Sequence, residues 1–235
     1  MNQEIISSQS INKELAYLLG VYLTDGSISK ENKFQLQVID KDFAENVLAC
    51  IKKIKPSCQA NIYQRDATKN GGWNKSIQYC INAGFIDWKD FFVKQTGEKH
   101  FIPTVILESS LTIKKWFIAG VMDGDGFIAK HTDYKKNRVQ YTIGIGKVEK
   151  GWIMEFNKML QSIGVNTYKP YRSVTKGGVP FITFNINKED FINNGLFFTI
   201  KRKQDKLCLL KSFMKVQRLN AADPIKDQDI VQSIT

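Results

Sequence analysis

The sequence predicts an α+β fold made by tandem duplication of one αββαββα unit. A nine-residue motif occurs twice, as LLGVYLTDG at 18–26 and as IAGVMDGDG at 118–126, so that Asp25 and Asp125 lie one hundred positions apart. After each copy the same succession follows: an alternating segment, a helical segment, a Gly-Gly turn, a second alternating segment and an Asp-Phe pair. Coincidence does not place five features in the same order twice, and we infer an internal duplication.

The elements of each unit can be assigned from periodicity. Apolar residues occupy every second position in KFQLQVID and RVQYTIGIG, a pattern typical of half-buried strands. FAENVLACIKKI and WIMEFNKMLQSIGV repeat apolar residues at intervals of about three and four, which indicates helices. TKNGG and TKGG then predict hairpin turns that lead into the second alternating strands.

The duplication divides the chain into two halves and two connecting or terminal segments. We expect the first half at 1–100, a connecting segment at 101–112 in which Pro103 restricts the backbone, and the second half at 113–219. Residues 220–235 are polar and are expected to be a linker or a disordered end.

Composition narrows the class of protein. Of the 235 residues, 43% are hydrophobic and 24% charged, as in an ordinary globular protein, and the apolar runs are far too short for a bilayer span. The N-terminus lacks the pattern of a secretory signal. The spacing of the cysteines and of the two histidines fits no zinc site, so free thiols in a reducing compartment are expected. The cysteines are Cys50, Cys58, Cys80 and Cys208.

Charge points to the partner. Thirty-four Lys and Arg against 23 Asp and Glu give a net charge of +11, which favours a polyanionic partner. The basic residues are scattered through segments expected to fold, and no strongly amphipathic basic helix stands out. We therefore expect nucleic acid, and no membrane, as the partner.

The two motif segments predict a pair of closely packed helices. Gly20 and Gly120 occupy matching places in helices that are apolar on nearly all sides, although glycine inside a helix costs about 1 kcal/mol relative to alanine. Small residues let two helix backbones approach, so we expect these helices to form the seam between the halves. Asp25 and Asp125 would then meet at helix C-termini, where two carboxylates repel each other and a divalent cation such as Mg²⁺ would relieve the repulsion.

These residues resemble the two signature motifs of single-chain LAGLIDADG homing endonucleases, and Ile102 and Pro103 resemble the connection between the halves. The resemblance implies two antiparallel sheets that form a DNA-binding saddle, with the motif helices at a pseudo-twofold seam. It implies a monomeric, Mg²⁺-dependent enzyme, with Mn²⁺ or Ca²⁺ able to substitute in binding. Such an enzyme hydrolyses both strands of double-stranded DNA across the minor groove of a long asymmetric target and leaves 3′ overhangs.

The resemblance also assigns roles to residues. Asp25 and Asp125 map to the metal ligands, and the backbone of Thr24 and Gly124 could add further ligands. Asp123 also lies in the second motif, but its counterpart is Leu23, and we leave it out of the site.

The resemblance also implies a basic catalytic residue in each half. Lys201 in TIKRKQDKL fits the second half, and Lys99 in GEKHFIP fits the first, with His100 as its competitor. Gln37 matches the polar strand residue that orients a metal-bound water, and its counterpart is taken as Gly144.

Sequence recognition is expected from the strands. Since side chains alternate between the faces of a strand, residues between the buried apolar positions face outward, and Arg, Gln and Asn can hydrogen-bond to bases in the major groove. The expected DNA contacts are Ser27, Ser29, Lys33, Gln35, Gln37, Asn61, Tyr63, Arg65, Lys69, Asn74, Lys75, Gln78, Arg138, Gln140, Thr142, Tyr168, Lys169, Tyr171, Arg172, Lys176, Thr183 and Asn185.

Two alternatives use the same fold. An intron maturase would bind its host intron RNA as a splicing cofactor, and a DNA-binding regulator would bind without cutting. Retention of both Asp25 and Asp125 favours the nuclease over either pure binder. Abundant Lys, Asn, Ile and Phe suggest an AT-rich genome, and we expect an intron-encoded, intracellular protein made inside a mitochondrion or chloroplast.

Overall fold

The computed structural model describes residues 11–66, 76–84, 88–133, 138–148, 151–175 and 177–222. In the first half the chain forms α1 (Lys13–Thr24), β1 (Ser27–Ile28), β2 (Lys33–Val38), α2 (Lys41–Ile54), β3 (Ala60–Asp66), β4 (Ile77–Gly84) and α3 (Trp88–Thr96). A short helix α4 (Thr104–Leu107) lies in the connecting segment. The second half forms α5 (Leu111–Gly124), β5 (Gly126–Asp133), β6 (Arg138–Val148), α6 (Gly151–Ser162), β7 (Tyr171–Val174), β8 (Pro180–Ile186), α7 (Lys188–Asn193) and α8 (Lys201–Ala222).

Each half contributes one antiparallel sheet. Both sheets are four-stranded, with the matching orders β1-β2-β4-β3 and β5-β6-β8-β7. The duplicated αββαββα unit and the α+β class predicted from the sequence are confirmed. The domain boundaries proposed from the sequence stay predictions.

Two helix boundaries outside the repeated unit differ from those expected from the sequence. Helix α5 begins at Leu111, inside the expected connecting segment, because Ser110 Oγ accepts a hydrogen bond from the Ile113 N–H at 3.5 Å and caps the helix. Helix α8 runs to Ala222, so that residues 220–222 continue the helix and do not begin a tail. Residues 223–235 lie outside the described residues.

The motif helices α1 and α5 pack backbone to backbone. A Cβ atom added to Gly20 would lie 2.4 Å from the carbonyl oxygen of Phe117, and one added to Gly120 would lie 2.2 Å from the carbonyl oxygen of Tyr17. No side chain larger than hydrogen fits at either position. Residues 15–24 of α1 and 117–123 of α5 are buried, and the two helices form the seam between the halves.

The two sheets pack one face against the helices. Phe34 and Leu36 on β2, and Ile143 and Ile145 on β6, are buried on that inner face. The opposite faces of the two sheets, called here the outer faces, carry the residues between these apolar positions. Within the described residues, no helix is both long and apolar enough to span a membrane.

Candidate catalytic centre at the seam

The paired aspartates occupy equivalent positions at the ends of the motif helices. Asp25 ends α1 and donates its backbone N–H to Val21 O, and Asp125 ends α5 and donates to Val121 O. The two ends are in contact, since a Cβ on Gly124 would lie 3.2 Å from Asp25 Oδ2. The close glycine packing of the helices therefore brings the two carboxylates together at one end of the seam.

The local charge and burial act in opposite directions on these carboxylates. Burial raises the pKa of Asp125 above its ordinary value; the charge of Lys147 lowers it, and the charge of Asp25 raises it further. Asp25 is in contact with solvent, but the protein around its carboxyl group removes part of the hydration, and this desolvation raises its pKa. The charges of Lys147, Lys203 and Lys99 lower the pKa and partly offset the effect. Two partly desolvated carboxylates next to each other make this end of the seam a site for positive charge.

Lys147 supplies one such charge. Its Nζ lies 2.7 Å from Asp125 Oδ2 and 3.2 Å from the carbonyl oxygen of Thr24, so that it bridges the two helix ends. Sequence reasoning missed this residue because Lys147 shares the inner face of β6 with Ile143 and Ile145, where an apolar side chain is the norm. A lysine at the end of a strand that is otherwise apolar on that face was the available signal.

Two further lysines hold the backbone around the aspartates in a matched way. Lys99 Nζ donates to the carbonyl oxygens of Gly26 and Thr24. In the second half, Lys203 Nζ donates to Gly126 O at 2.7 Å and to Gly124 O at 3.4 Å, the corresponding carbonyls. Positive charge at a helix C-terminus is stabilising, because the last carbonyls have no partner inside the helix.

In the second half Lys203, and not Lys201, lies at the centre. The Lys201 side chain is 79% exposed and forms an ion pair with Asp205 at 2.7 Å, away from the centre. Lys203 is 4% exposed and also donates to Met122 O at 2.9 Å and Asp123 O at 2.5 Å. The assignment of Lys201 was wrong because Lys201 and Lys203 lie on different sides of α8, and only Lys203 faces the motif helix.

Burial changes the acidity of Lys203. It lowers the pKa of the ammonium group to about 8, although the charge of Asp123 acts in the opposite direction. The Nζ hydrogens are directed at carbonyl oxygens, so Lys203 serves as a fixed positive charge and a brace for the backbone on either side of Asp125. Its charge also lowers the pKa of Asp25 and of Asp125.

Gln37 lies on the outer face of the first sheet and donates from Nε2 to the side chain of Gln78. Its counterpart in the second half is Gly146, not Gly144. The strand register decides this, since Ser27 pairs with Gln35 and Phe127 pairs with Gly144, which makes Gly144 the counterpart of Gln35. Either way a glycine stands in the second half, and the two halves differ at this position.

Pairing between strands arranges polar residues in rows across the outer face of the first sheet. Ser27 pairs with Gln35, Gln35 with Asn82, and Asn82 with Asn61. Asn82, which sequence reasoning missed, accepts from Gln35 at 3.1 Å and donates to Tyr63 at 3.0 Å. The same face holds the following expected contacts: Lys33, Gln37, Tyr63, Arg65 and Gln78.

The second sheet has a comparable outer face with one exception. Gln140 pairs with His131, a further polar residue of this face. Arg172 was expected beside Tyr171, but Tyr171 pairs with Thr183 whereas Arg172 pairs with the buried Ile182. Neighbouring residues of a strand face opposite sides, so these two cannot share a face. Strand register places the expected contacts Thr142, Tyr171, Thr183 and Asn185 on the outer face of this sheet, whereas the side chain of Arg138 lies outside the described residues.

The remaining expected contacts lie outside the strands. Tyr168 and Lys169 are exposed on the segment before β7, and Ser29 lies in the turn between β1 and β2. His100, the competitor of Lys99, is exposed. Lys69, Asn74, Lys75 and Lys176 lie outside the described residues.

A metal ion would find suitable ligands at this centre. The carboxylates of Asp25 and Asp125 provide the hard oxygen atoms that Mg²⁺ prefers. Asp125 Oδ2 is buried and, among the described residues, has no hydrogen bond of good geometry, although the Lys147 ammonium lies close to it. The carbonyl oxygens of Thr24 and Gly124 already accept from lysines, which leaves the two carboxylates as the principal ligand set. The described residues contain no group of three or more His, Cys, Asp or Glu that could hold a metal.

Comparison with solved structures places this architecture among known ones. Variants of the homing endonuclease I-DmoI superpose with a TM-score of 0.51 over 80% of this chain and 94% of theirs, at 16% identity. Full-length DUF199/WhiA from Thermotoga maritima superposes with a TM-score of 0.55 over 92% of this chain and 68% of its own, at 13% identity. The N-terminal LAGLIDADG domain of DUF199/WhiA gives 0.51 over 77% of this chain and 80% of that domain, at 12% identity.

The fold is of the LAGLIDADG type. No family model matches the sequence. A curated relative, the ATP-dependent DNA helicase Hel308 of Thermococcus kodakarensis, is 23% identical over 172 residues. The match covers 72% of this chain and 14% of the helicase, so this LAGLIDADG-type chain spans a small part of that protein.

Proposed function

We propose that this chain is a site-specific endonuclease that hydrolyses both strands of a long, asymmetric double-stranded DNA target across the minor groove and leaves 3′ overhangs. The observation that carries the proposal is the meeting of Asp25 and Asp125 at matched helix ends. The charge of Asp25 raises the pKa of the partly desolvated Asp125, an unfavourable arrangement that a bound cation relieves and that a pure binding protein does not need. The site therefore has the composition expected for metal-dependent phosphodiester hydrolysis.

Other features of the molecule support the same reaction. The outer faces of the two sheets supply polar and basic side chains, and the net charge of +11 suits a polyanion. I-DmoI, which shares the fold, has been solved with its target DNA in the presence of Mn or Mg, and in complex with DNA and Ca. Divalent metal use and DNA binding are accordingly part of the proposal for this chain.

The residues of the centre would divide the work as follows. Asp25 and Asp125 would hold Mg²⁺, which supplies activation of water and stabilisation of the leaving oxygen when bound. Lys147 neutralises Asp125 in the free protein and, released from that carboxylate, would be placed to contact a phosphate. Lys99 and Lys203 fix the backbone that carries the aspartates, and Gln37 would orient a water molecule in the first half.

Selection of cleaved sites from a randomised duplex library tests the activity directly. We expect recovery of one long, asymmetric sequence cut on both strands in the presence of Mg²⁺, with no cutting when the metal is chelated. Specific binding of DNA without cutting would contradict the endonuclease and favour a regulator. Tight binding of a host intron RNA with no cutting of DNA would favour the maturase.

The two motif helices within one chain predict a monomer. Their glycine faces are already occupied by each other, so no motif surface is left to pair with a second copy. Light scattering of the dilute protein should give the mass of one chain, 26.9 kDa. A stable dimer would show that some other surface associates, and the target would then be expected to be symmetric.

Binding to DNA should weaken steeply with salt. Lysines and arginines that neutralise phosphates release counterions, and the logarithm of affinity should fall with a slope of roughly −0.9 for each phosphate contacted. Fluorescence anisotropy of a labelled duplex at several salt concentrations measures the slope. An affinity that stays flat would mean that the basic residues do not contact the phosphate backbone.

A further inference from the structure

The N-terminus of α8 is held by carboxylates from other elements. Asp123 on α5 accepts from the Thr199 N–H at 3.1 Å from each carboxylate oxygen, and from the Ile200 N–H at 3.4 Å. The Lys201 N–H donates to Asp42, and Arg202 pairs with Asp40 at 2.6 Å. The first N–H groups of a helix have no partner inside it, and negative charge there is stabilising. These carboxylates thus fix where α8 begins.

Asp123 also joins a buried group of side chains that crosses the seam. It is 2% exposed and accepts from the Thr199 hydroxyl at 2.6 Å and from the Tyr17 hydroxyl at 2.9 Å. Asn46 donates from Nδ2 to Thr199 Oγ1 at 3.0 Å. We call Tyr17, Asn46, Asp123 and Thr199 the Asp123 network. Tyr17 and Asn46 belong to the first half, and Asp123 and Thr199 belong to the second.

Lys203 lies one turn beyond this attachment. Its backbone N–H donates to Ile200 O at 3.1 Å, inside the first turn of α8. Because a helix is stiff over one turn, the position of Thr199 and Ile200 determines how far the Lys203 ammonium reaches. That ammonium ends among the carbonyl oxygens of Met122, Asp123 and Gly126, on either side of Asp125.

The first half positions its own lysine in another way. The counterpart of Asp123 is Leu23, a buried apolar residue. Lys99 lies in a tight turn with a left-handed φ of 70°, and its N–H donates to Thr96 Oγ1 at 3.2 Å. No equivalent of the Asp123 network is needed there, since the turn itself places Lys99.

We propose that Asp123 is a positioning residue for the second-half centre only. Through Thr199 it holds α8 so that Lys203 braces the backbone at Asp125, and through Tyr17 and Asn46 it ties that brace to the first half. The brace on the backbone at Asp25 comes from Lys99 and does not depend on this network. The expected effect on cleavage rests on the proposed function, whereas acylation of Lys203 can be measured whether or not the protein cuts DNA.

Lysine acylation of the full-length protein, followed by mass spectrometry, measures the position of Lys203 directly. Thr199→Val removes the hydroxyl while keeping the side-chain shape, and Thr199→Ser keeps the hydroxyl. Loss of one hydrogen bond to a carboxylate should make acylation of Lys203 about tenfold faster in Thr199→Val and in Asp123→Asn. Thr199→Ser should match the parent, and Lys99 should react at the parental rate in every variant. Unchanged acylation of Lys203, or equal acceleration of both lysines, would overturn the proposal.

Cleavage of each strand gives the functional readout. We define the second-half strand as the one whose cutting is slowed more by Asp125→Asn than by Asp25→Asn. Thr199→Val should slow cutting of that strand about tenfold, again by the loss of one charged hydrogen bond, and leave the other strand unchanged. Equal slowing of both strands, with a lower melting temperature, would indicate a merely structural role and contradict the proposal. A parent protein that cuts no DNA would contradict the proposed function, and the acylation result would then decide the role of Asp123 alone.

Discussion

Asp25→Asn and Asp125→Asn are each expected to reduce cleavage of double-stranded DNA by roughly a thousandfold or more, while binding of the same duplex stays close to that of the parent. Asparagine keeps the shape of the side chain but removes the charge that would hold Mg²⁺. Several kcal/mol of transition-state stabilisation would be lost, and each 1.4 kcal/mol corresponds to a factor of ten in rate. The outer faces of the sheets, where DNA contacts are expected, are untouched by either change.

Neither variant is expected to lose much stability. Asp25 and Asp125 repel each other, so Asp25→Asn should leave the free energy of unfolding unchanged or slightly higher. Asp125→Asn also relieves the repulsion but removes the ion pair with Lys147, and these effects should largely offset each other. The control is Asp90→Asn, which makes the same change at an exposed carboxylate of α3 and should cut as the parent does.

Binding and strand cutting measured on one labelled duplex decide the assignment. If the two centres act separately, one Asp→Asn variant should still nick the strand that the unchanged aspartate serves. If the centres share an ion, cutting of both strands should slow together. A variant that cuts both strands at the parental rate would show that its aspartate is not part of the reaction. A variant that no longer binds would show that the carboxylate is structural.

Much of this architecture follows from local patterns in the sequence. Apolar and polar residues alternate along β2 and β6 because one face of each sheet meets the helices and the other does not. This pattern predicts both strands without further information. The paired glycines predict the seam, since glycine has no advantage inside a helix unless another backbone lies against it. The position of Asp25 beside Asp125 follows from the seam.

The identity of the buried lysine was harder to predict. Residues 201–203 are all basic, and local charge gives no reason to prefer Lys203. The signal lay further along α8, where Leu207, Leu210 and Met214 are buried and fall on the same helical face as Lys203. Asp123 was left out of the site because its counterpart in the first motif is Leu23, and its partners Tyr17 and Thr199 are too remote in sequence for a local pattern to reveal them.

The residues on the outer faces are hard to predict because strand register and contacts between distant segments are not visible in the sequence. Gly144 was taken as the counterpart of Gln37 in place of Gly146 because counting residues from the motif does not show how the strands pair. The inclusion of Arg172 beside Tyr171 conflicts with strand alternation and could have been avoided from the sequence alone. Lys147 could not be paired with Asp125 without knowing that this end of β6 lies beside the ends of α1 and α5.

The largest effect on folding is expected at the seam, from adding a single methyl group. Gly120→Ala places a Cβ 2.2 Å from the Tyr17 carbonyl oxygen, and Gly20→Ala places one 2.4 Å from the Phe117 carbonyl oxygen and 2.8 Å from the Val121 nitrogen. These neighbours are backbone atoms of a buried helix, which cannot rotate away as a side chain can. Overpacking in a core costs about 1–3 kcal/mol and occasionally more, and we expect each variant to reach the upper end of that range.

The sign of this change separates close packing from a loose seam. In a helix with open space around it, alanine in place of glycine would raise stability by about 1 kcal/mol. At the seam we expect a loss of about 3 kcal/mol, which corresponds to a fall in melting temperature of roughly 6–12 °C for a chain of this size. Gly84→Ala is the matched control, because a Cβ there meets no atom within 4 Å, and its stability should be unchanged or slightly higher. Thermal and denaturant unfolding of the three variants measure the effect. A gain in stability for Gly20→Ala or Gly120→Ala would mean that the helices lie farther apart than their glycines allow, and Asp25 and Asp125 would then be too distant to share a cation.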